Sequence, residues 1–189
     1  IFGRRYVAAE GINAQISVPE HNWAVFKNYL EEQPLLKNMP LKIAVEDNGK
    51  SFYKLIVRIK SKIVADGLND NAFDITNVGN HLTAKEFNEA MQQSGTIVVD
   101  MRNHYESEVG FFKDALKPDA DTFRDALPQA IEMTKNNKDN KILLYCTGGI
   151  RCEKASAYFK HHGYKDVNQL YGGIIQYARE VKTDNLEKR

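Results

Sequence analysis

Residues 96–99 (Thr-Ile-Val-Val) and 141–145 (Lys-Ile-Leu-Leu-Tyr) are short, largely apolar runs, and 167–170 (Val-Asn-Gln-Leu) supplies a last, more polar strand, all separated by stretches of helical patterning. A strand covered on both faces reads as a near-continuous apolar run, because neither face meets water. The intervening helices are the crossovers that a parallel sheet requires. Thr83-Ala84-Lys85-Glu86 is a capping-box pattern and opens a helix to about residue 93. Helical patterning returns over 121–135, with Pro128 as a break or first turn. A further helix runs through His162 to Gly163, and Gly172-Gly173 leads into a terminal helix. This part of the chain is expected to be an α/β domain.

The first third differs. Residues 4–9 and 14–18 are β-rich and joined by the turn signal Glu10-Gly11-Ile12-Asn13. Pro19 and Asn22 open a helix carrying Trp23, Phe26 and Leu30 on one face. Residues 41–46 read as another strand, and Asp47-Asn48-Gly49 as a turn. Over 52–64 the pattern alternates, with Leu55, Val57 and Ile59 on one side and Lys54, Arg58, Lys60 and Lys62 on the other. Strand, strand, helix, strand, strand is most of a ferredoxin-like (acylphosphatase-like) α+β unit lacking its leading strand and helix. Such a unit, in a chain opening at Ile1, reads as truncated at its N-terminus. The polar, Asp- and Asn-rich stretch that follows reads as a linker. The expected division is therefore 1–66 for the α+β domain, 67–80 for the linker and 81–189 for the α/β domain.

Composition excludes several classes. No apolar run approaches the roughly 20 residues of a membrane span. Lys plus Arg number 26 against 25 for Asp plus Glu, so bulk charge draws the chain to neither nucleic acid nor membrane. Two cysteines rule out a disulfide framework and suit a reducing, cytoplasmic setting. Histidines 21, 81, 104, 161 and 162 show no metal-ligand spacing with the cysteines, and no nucleotide fingerprint is present. No cofactor site is evident.

One constellation carries chemistry. Cys146 stands where an apolar strand ends and a helix begins, followed by Thr147, Gly148, Gly149, Ile150 and Arg151. In open α/β sheets ligands bind outside the carboxyl ends of the strands. The glycines let backbone N–H groups turn inward as an anion cradle, and the helix N-terminus and Arg151 add positive charge. Both favour thiolate over thiol, making Cys146 a candidate low-pKa nucleophile rather than a packed core cysteine. The spacing is C-x4-R, one residue tighter than the C-x5-R loop of cysteine phosphatases, and suits the outer sulfur of a persulfide better than a phosphate.

This loop resembles the active-site loop of rhodanese (sulfurtransferase) domains. Asp100-Met-Arg102, with Glu106 and residues 110–115, is similar to the D-x-R…E…G-x-[IF]-x-x-A segment of that family, and Leu170-Tyr-Gly-Gly173 to its closing turn. A narrower likeness covers nearly the whole chain. Tyr6-Val-Ala-Ala-Glu-Gly-Ile-Asn13, Ala65-Asp-Gly-Leu68 and Cys146-Thr-Gly-Gly-Ile-Arg-Cys-Glu-Lys-Ala-Ser156 resemble the rhodanese-containing tRNA uridine(34) hydroxylases. The resemblance implies a rhodanese-like fold for the second domain and 5-hydroxylation of the wobble uridine. It further implies tRNA as partner, dioxygen as co-substrate, and Cys146 as the persulfide cysteine. Members of that family extend beyond both ends of this chain. No motif here identifies an electron donor. The residues alone speak for cysteine sulfur chemistry; hydroxylation enters through the resemblance.

Other residues carry competing readings. Cys152 is either a second thiol working with Cys146 or a packed small residue on the inner face of the helix. Asp100 and Arg102 read as a structural ion pair, and Glu106 as a loop anchor. Lys54, Arg58, Lys60 and Lys62, with Arg4 and Arg5, either blunt a sheet edge or, given the resemblance, contact tRNA phosphates. Two other functions stand beside hydroxylation: sulfurtransfer through a Cys146 persulfide, and a non-enzymatic RNA-binding or persulfide-sensing module.

Overall fold

The computed structural model describes residues 1–39, 41–44, 51–68 and 73–187, with side chains to 182. The chain divides into two units, Ile1–Ile63 and Val64–Arg189.

In the first unit β1 (Phe2–Ala8) and β2 (Gly11–Ser17) form an antiparallel hairpin in register from Phe2↔Ser17 to Ala8↔Gly11. The turn is only Ala9-Glu10, tighter than the four residues expected, because pairing continues through Ile12 and Asn13. A short 3-10 turn leads into α1 (Trp23–Glu32), and β3 (Leu55–Ile59) pairs in parallel with the other edge of β1, giving the order β2-β1-β3.

Two expectations change here. Residues 41–44 carry no strand; 45 and 46, like the turn at 47–49, lie outside the described residues. The alternating run pairs only over Leu55–Ile59, and its apolar set is not a buried face, since Leu55, Val57 and Ile59 are 45%, 56% and 89% exposed. Alternation assigns side chains to a face, but burial needs something packed on it, and β3 is an edge strand.

The second unit contains β4 (Asn80–Leu82), α2 (Ala84–Met91), β5 (Ile97–Asp100), α3 (His104–Ser107) and α4 (Phe123–Thr134), then β6 (Lys141–Tyr145), α5 (Ile150–His161), β7 (Asp166–Leu170) and α6 (Gly173–Glu187). The strands form a parallel sheet in the order β4-β7-β6-β5. Central β6 shows why the sequence reads as continuously apolar. Ile142 and Leu144 enter one core with Phe123 and Leu127 of α4 and Phe159 of α5, while Leu143 and Tyr145 enter another with Phe87 of α2. Each such buried side chain contributes about 1.5–3 kcal/mol relative to exposure. The expected capping box at Thr83 is present, and Pro128 lies inside an unbroken α4.

The division between the units falls before residue 66. Val64 and Leu68 pack on the α4/α5 core, and Asp66, 1% exposed, pairs with buried Lys154 at 2.5 Å. Among the described residues no helix is long and apolar enough to cross a membrane.

Candidate active site

Strand β6 delivers Cys146 to the carboxyl end of the sheet, and four residues later α5 begins. The turn closes because Gly149, the residue before the helix, takes a left-handed conformation (φ 98°) that a side chain would strain. Its N–H donates to Cys146 Sγ at 3.1 Å, and Cys152 N–H closes the helix onto Gly149 O at 3.0 Å. Thr147, Gly148 and Ile150 complete the turn. A second turn braces the loop from β7. Ile174 N–H donates to Cys146 O at 2.9 Å. Gly173 (φ 69°) lies so close that a Cβ there would meet Cys146 O and the Thr147 carbonyl at 2.6 Å. Gly173 is therefore a packing requirement of the cysteine loop.

The loop's charges are organised around Glu106. Arg151 donates to Glu106 in bidentate fashion, Nη1 to Oε2 at 2.6 Å and Nη2 to Oε1 at 2.8 Å. The Thr147 hydroxyl donates to Glu106 Oε1 and accepts from Arg151 Nη2 at 3.2 Å. Burial pushes the Glu106 carboxyl up, but hydrogen bonds from Arg151, Thr147 and the Asn103 N–H hold it at about 2. Glu106 thus clasps α3 directly to the cysteine loop. The Arg151 guanidinium is engaged by this carboxylate and acts on the sulfur through its charge.

Cys146 is itself 0% exposed. Its thiol is pulled down to about 6, first by a hydrogen bond from the Cys152 thiol, against the opposing cost of burial, and then by the Cys152 amide, Arg151 and the Gly149 amide. Burial and the adjacent Cys146 charge push Cys152 well above the ordinary thiol range. Both cysteines enter the same apolar core, and ionisation is favoured at Cys146 and disfavoured at Cys152.

Asp100 and Arg102 are placed behind the loop. Arg102 Nη2 donates to Asp100 Oδ2 at 2.6 Å, and its other donors reach Glu106 O at 3.1 Å and Gly110 O at 2.6 Å. The Tyr145 hydroxyl donates to Asp100 Oδ2 at 2.7 Å. The pair fixes the course of the chain from 102 to 110, which in turn presents Glu106. Lys54, Arg58, Lys60 and Lys62 belong to the first unit. The β1–β3 register sets Arg4 beside Ile56 and Tyr6 beside Arg58, so Arg4, Tyr6 and Arg58 share one face with Lys54 and Lys60 at its ends. Lys60 Nζ lies 5.6 Å from the centroid of the Tyr6 ring, and Lys62 is half-buried.

Two groups escaped the sequence reading. His81 Nε2 sits 2.7 Å from Glu153 Oε1, and the Gln169 amide donates to Glu153 Oε2 at 3.2 Å, on the α5 side of the same sheet end. No local pattern announces them, because they meet only through the β4–β7 pairing. The Tyr145–Asp100 bond likewise depends on the β5–β6 register, which sets those two residues side by side.

Comparison with known proteins agrees with this geometry. Residues 1–63 match the model of the UPF0176 acylphosphatase-like domain, and residues 83–180 that of the rhodanese-like domain. A tRNA uridine(34) hydroxylase of Leptospira interrogans is 59% identical over 189 residues, covering 100% of this chain and 52% of its own length. Proteins of the same name from Photorhabdus laumondii and Escherichia fergusonii are 50% and 51% identical over 190 residues, 100% of this chain and 54% of each. The chain spans about half the length of these relatives.

Proposed function

The chain belongs to the rhodanese-like domain family, and from that premise we propose that it carries the sulfur chemistry of tRNA wobble-uridine 5-hydroxylation. The observation that carries this reading is a thiolate-forming Cys146 held by a six-residue loop, in a chain 59% identical to a protein named for that reaction. Cys146 serves as thiolate or persulfide. The Gly149 amide and the Arg151 charge stabilise its negative sulfur, and the Glu106 clasp fixes the loop on which it sits. Replacing the uracil C5–H by C5–OH with dioxygen as co-substrate sends the second oxygen to water. It draws two electrons and two protons from a separate donor.

The first unit supplies the contact to tRNA. Arg4, Lys54, Arg58 and Lys60 around Tyr6 combine phosphate-binding cations with a ring on which a base can stack, the usual composition of a single-strand platform. Lys62 extends the row. A near-neutral chain binds RNA in this way when its charge is segregated, and the association weakens with salt. Such an enzyme works in the cytoplasm, where the tRNA is.

Nucleoside mass spectrometry of tRNA from cells lacking the gene tests the reading, with complementation by the full-length protein or its Cys146→Ser form. Return of 5-hydroxyuridine derivatives with wild type alone supports it. An unchanged nucleoside profile in the deletion overturns it and leaves sulfurtransfer as the reading. Reversing Lys54, Arg58 and Lys60 to Glu should weaken tRNA association and flatten its log–log salt dependence by about two. Cys146→Ser should leave both intact.

A further inference from the structure

Tyr171 stands 48% exposed beside the cysteine loop, and nothing in the support of that loop uses its ring. We propose that this ring is the stacking face for the target uracil, held in place by His81, Glu153 and Gln169. The sheet register sets Tyr171 next to Cys146. Leu144 of β6 pairs with Gln169 of β7, so two residues further on Cys146 and Tyr171 stand level at the ends of adjacent strands, which lie about 4.8 Å apart. The turns beyond keep them together: a Cβ on Gly149 would stand 3.5 Å from Gly172 N, the atom bonded to the Tyr171 carbonyl carbon. Tyr171 N–H donates to Leu82 O at 2.8 Å, which ties its backbone to β4. The ring meets His81 edge to face, with centroids 6.2 Å apart and planes at 76°. His81 Nε2 is held at 2.7 Å by Glu153 Oε1, and Glu153 Oε2 accepts at 3.2 Å from the amide of Gln169, which is 1% exposed. A chain of contacts thus runs from the buried sheet to a half-exposed ring and orders it.

The charged groups around the loop are paired with one another. Glu106 takes the Arg151 guanidinium and Glu153 takes His81, so the loop's own cation is committed before any phosphate arrives. Beside them Tyr171 and Ile150, both partly exposed, flank the contact between Gly149 and Gly172. A flat, uncharged group suits that surface, and the flat, uncharged part of an RNA is its base. Proteins hold unpaired bases by stacking them on aromatic rings. The wobble position lies in the unpaired anticodon loop, so its base turns outward without breaking a base pair.

This inference rests on the tRNA reading and names the residue of that site that meets the base. Its test measures binding of two anticodon stem–loop RNAs to the full-length protein by fluorescence anisotropy. One RNA carries uridine at the wobble position and the other an abasic sugar there. Salt is held constant and dioxygen excluded, so that no turnover occurs. Wild type and Tyr171→Phe should bind the uridine RNA about tenfold more tightly than the abasic one. Tyr171→Ala and Tyr171→Leu should bind both RNAs alike, at the level of wild type with the abasic RNA. A ring with a merely structural role would leave the preference for uridine unchanged. Circular dichroism melting checks that each variant is folded, and the Leu form restores bulk if the Ala form is not. His81→Ala should lose part of the preference, because the ring is then no longer held; a His81→Ala form that matches wild type overturns the supporting role. Stacking on Tyr171 is overturned if the folded Ala or Leu form keeps the preference, if the Phe form loses it, or if wild type shows none. Absence of binding to either RNA by wild type would instead overturn the tRNA reading itself, and this inference with it.

Discussion

Replacing Glu106 by Gln removes the charge that holds Arg151 and Thr147 while keeping the side chain's size. Because the carboxyl is held at about 2 against an ordinary 4.5, folding favours its ionised form, and the difference corresponds to about 3 kcal/mol if fully shielded. The side chain is 20% exposed, and solvent screening reduces this to about 2 kcal/mol. The pH dependence follows from the direction of the shift. A depressed carboxylate contributes its full stability above about 4.5 and loses it as pH falls toward 2. Glu106→Gln should therefore cost about 2 kcal/mol at pH 7, with most of that difference gone at about pH 3. Urea unfolding followed by circular dichroism reads it. An equal loss at both pH values would show that packing rather than charge is at stake. No loss at pH 7 would refute the clasp.

Two further substitutions probe the loop's supports. Gly173→Ala places a Cβ 2.6 Å from Cys146 O at a positive φ, and should cost about 2–4 kcal/mol by urea unfolding. A cost within experimental error would mean that the turn is not pinned against the loop. Arg102→Met leaves buried Asp100 without its cation and should cost about 3–5 kcal/mol in the same assay. The double variant Asp100→Asn/Arg102→Met should recover part of that loss, since the uncompensated charge is then gone.

How far the sequence could be read depends on whether a feature was written locally. Strands β5 and β6 were legible because both faces of the sheet are covered, so their apolar runs are unbroken, whereas β7 carries Asn168 and Gln169 and was legible from its place between the helix end at Gly163 and the Gly172-Gly173 turn. The Cys146 loop was legible because a strand end, two glycines and an arginine stand next to one another in the chain. Strand β4 was not, since it is three residues long and owes its form to pairing with β7 rather than to any pattern of its own. The Glu106–Arg151 clasp joins residues 45 positions apart, and sequence alone placed both near the site without joining them. Asp66 is the last residue of the segment read as the α+β domain, yet it belongs to the second unit, where it is buried because Lys154 of α5 neutralises it. Leu55, Val57 and Ile59 carry the pattern of a buried face, yet among the described residues they stand exposed.

The proposed chemistry requires that this fold make Cys146 an anion at neutral pH. The pH dependence of carbamidomethylation at Cys146 in the wild-type protein measures it directly. The structure predicts a midpoint of about 6, with reactivity nearly complete at pH 7.5. A midpoint near 8.5, the value of a free cysteine, would contradict it.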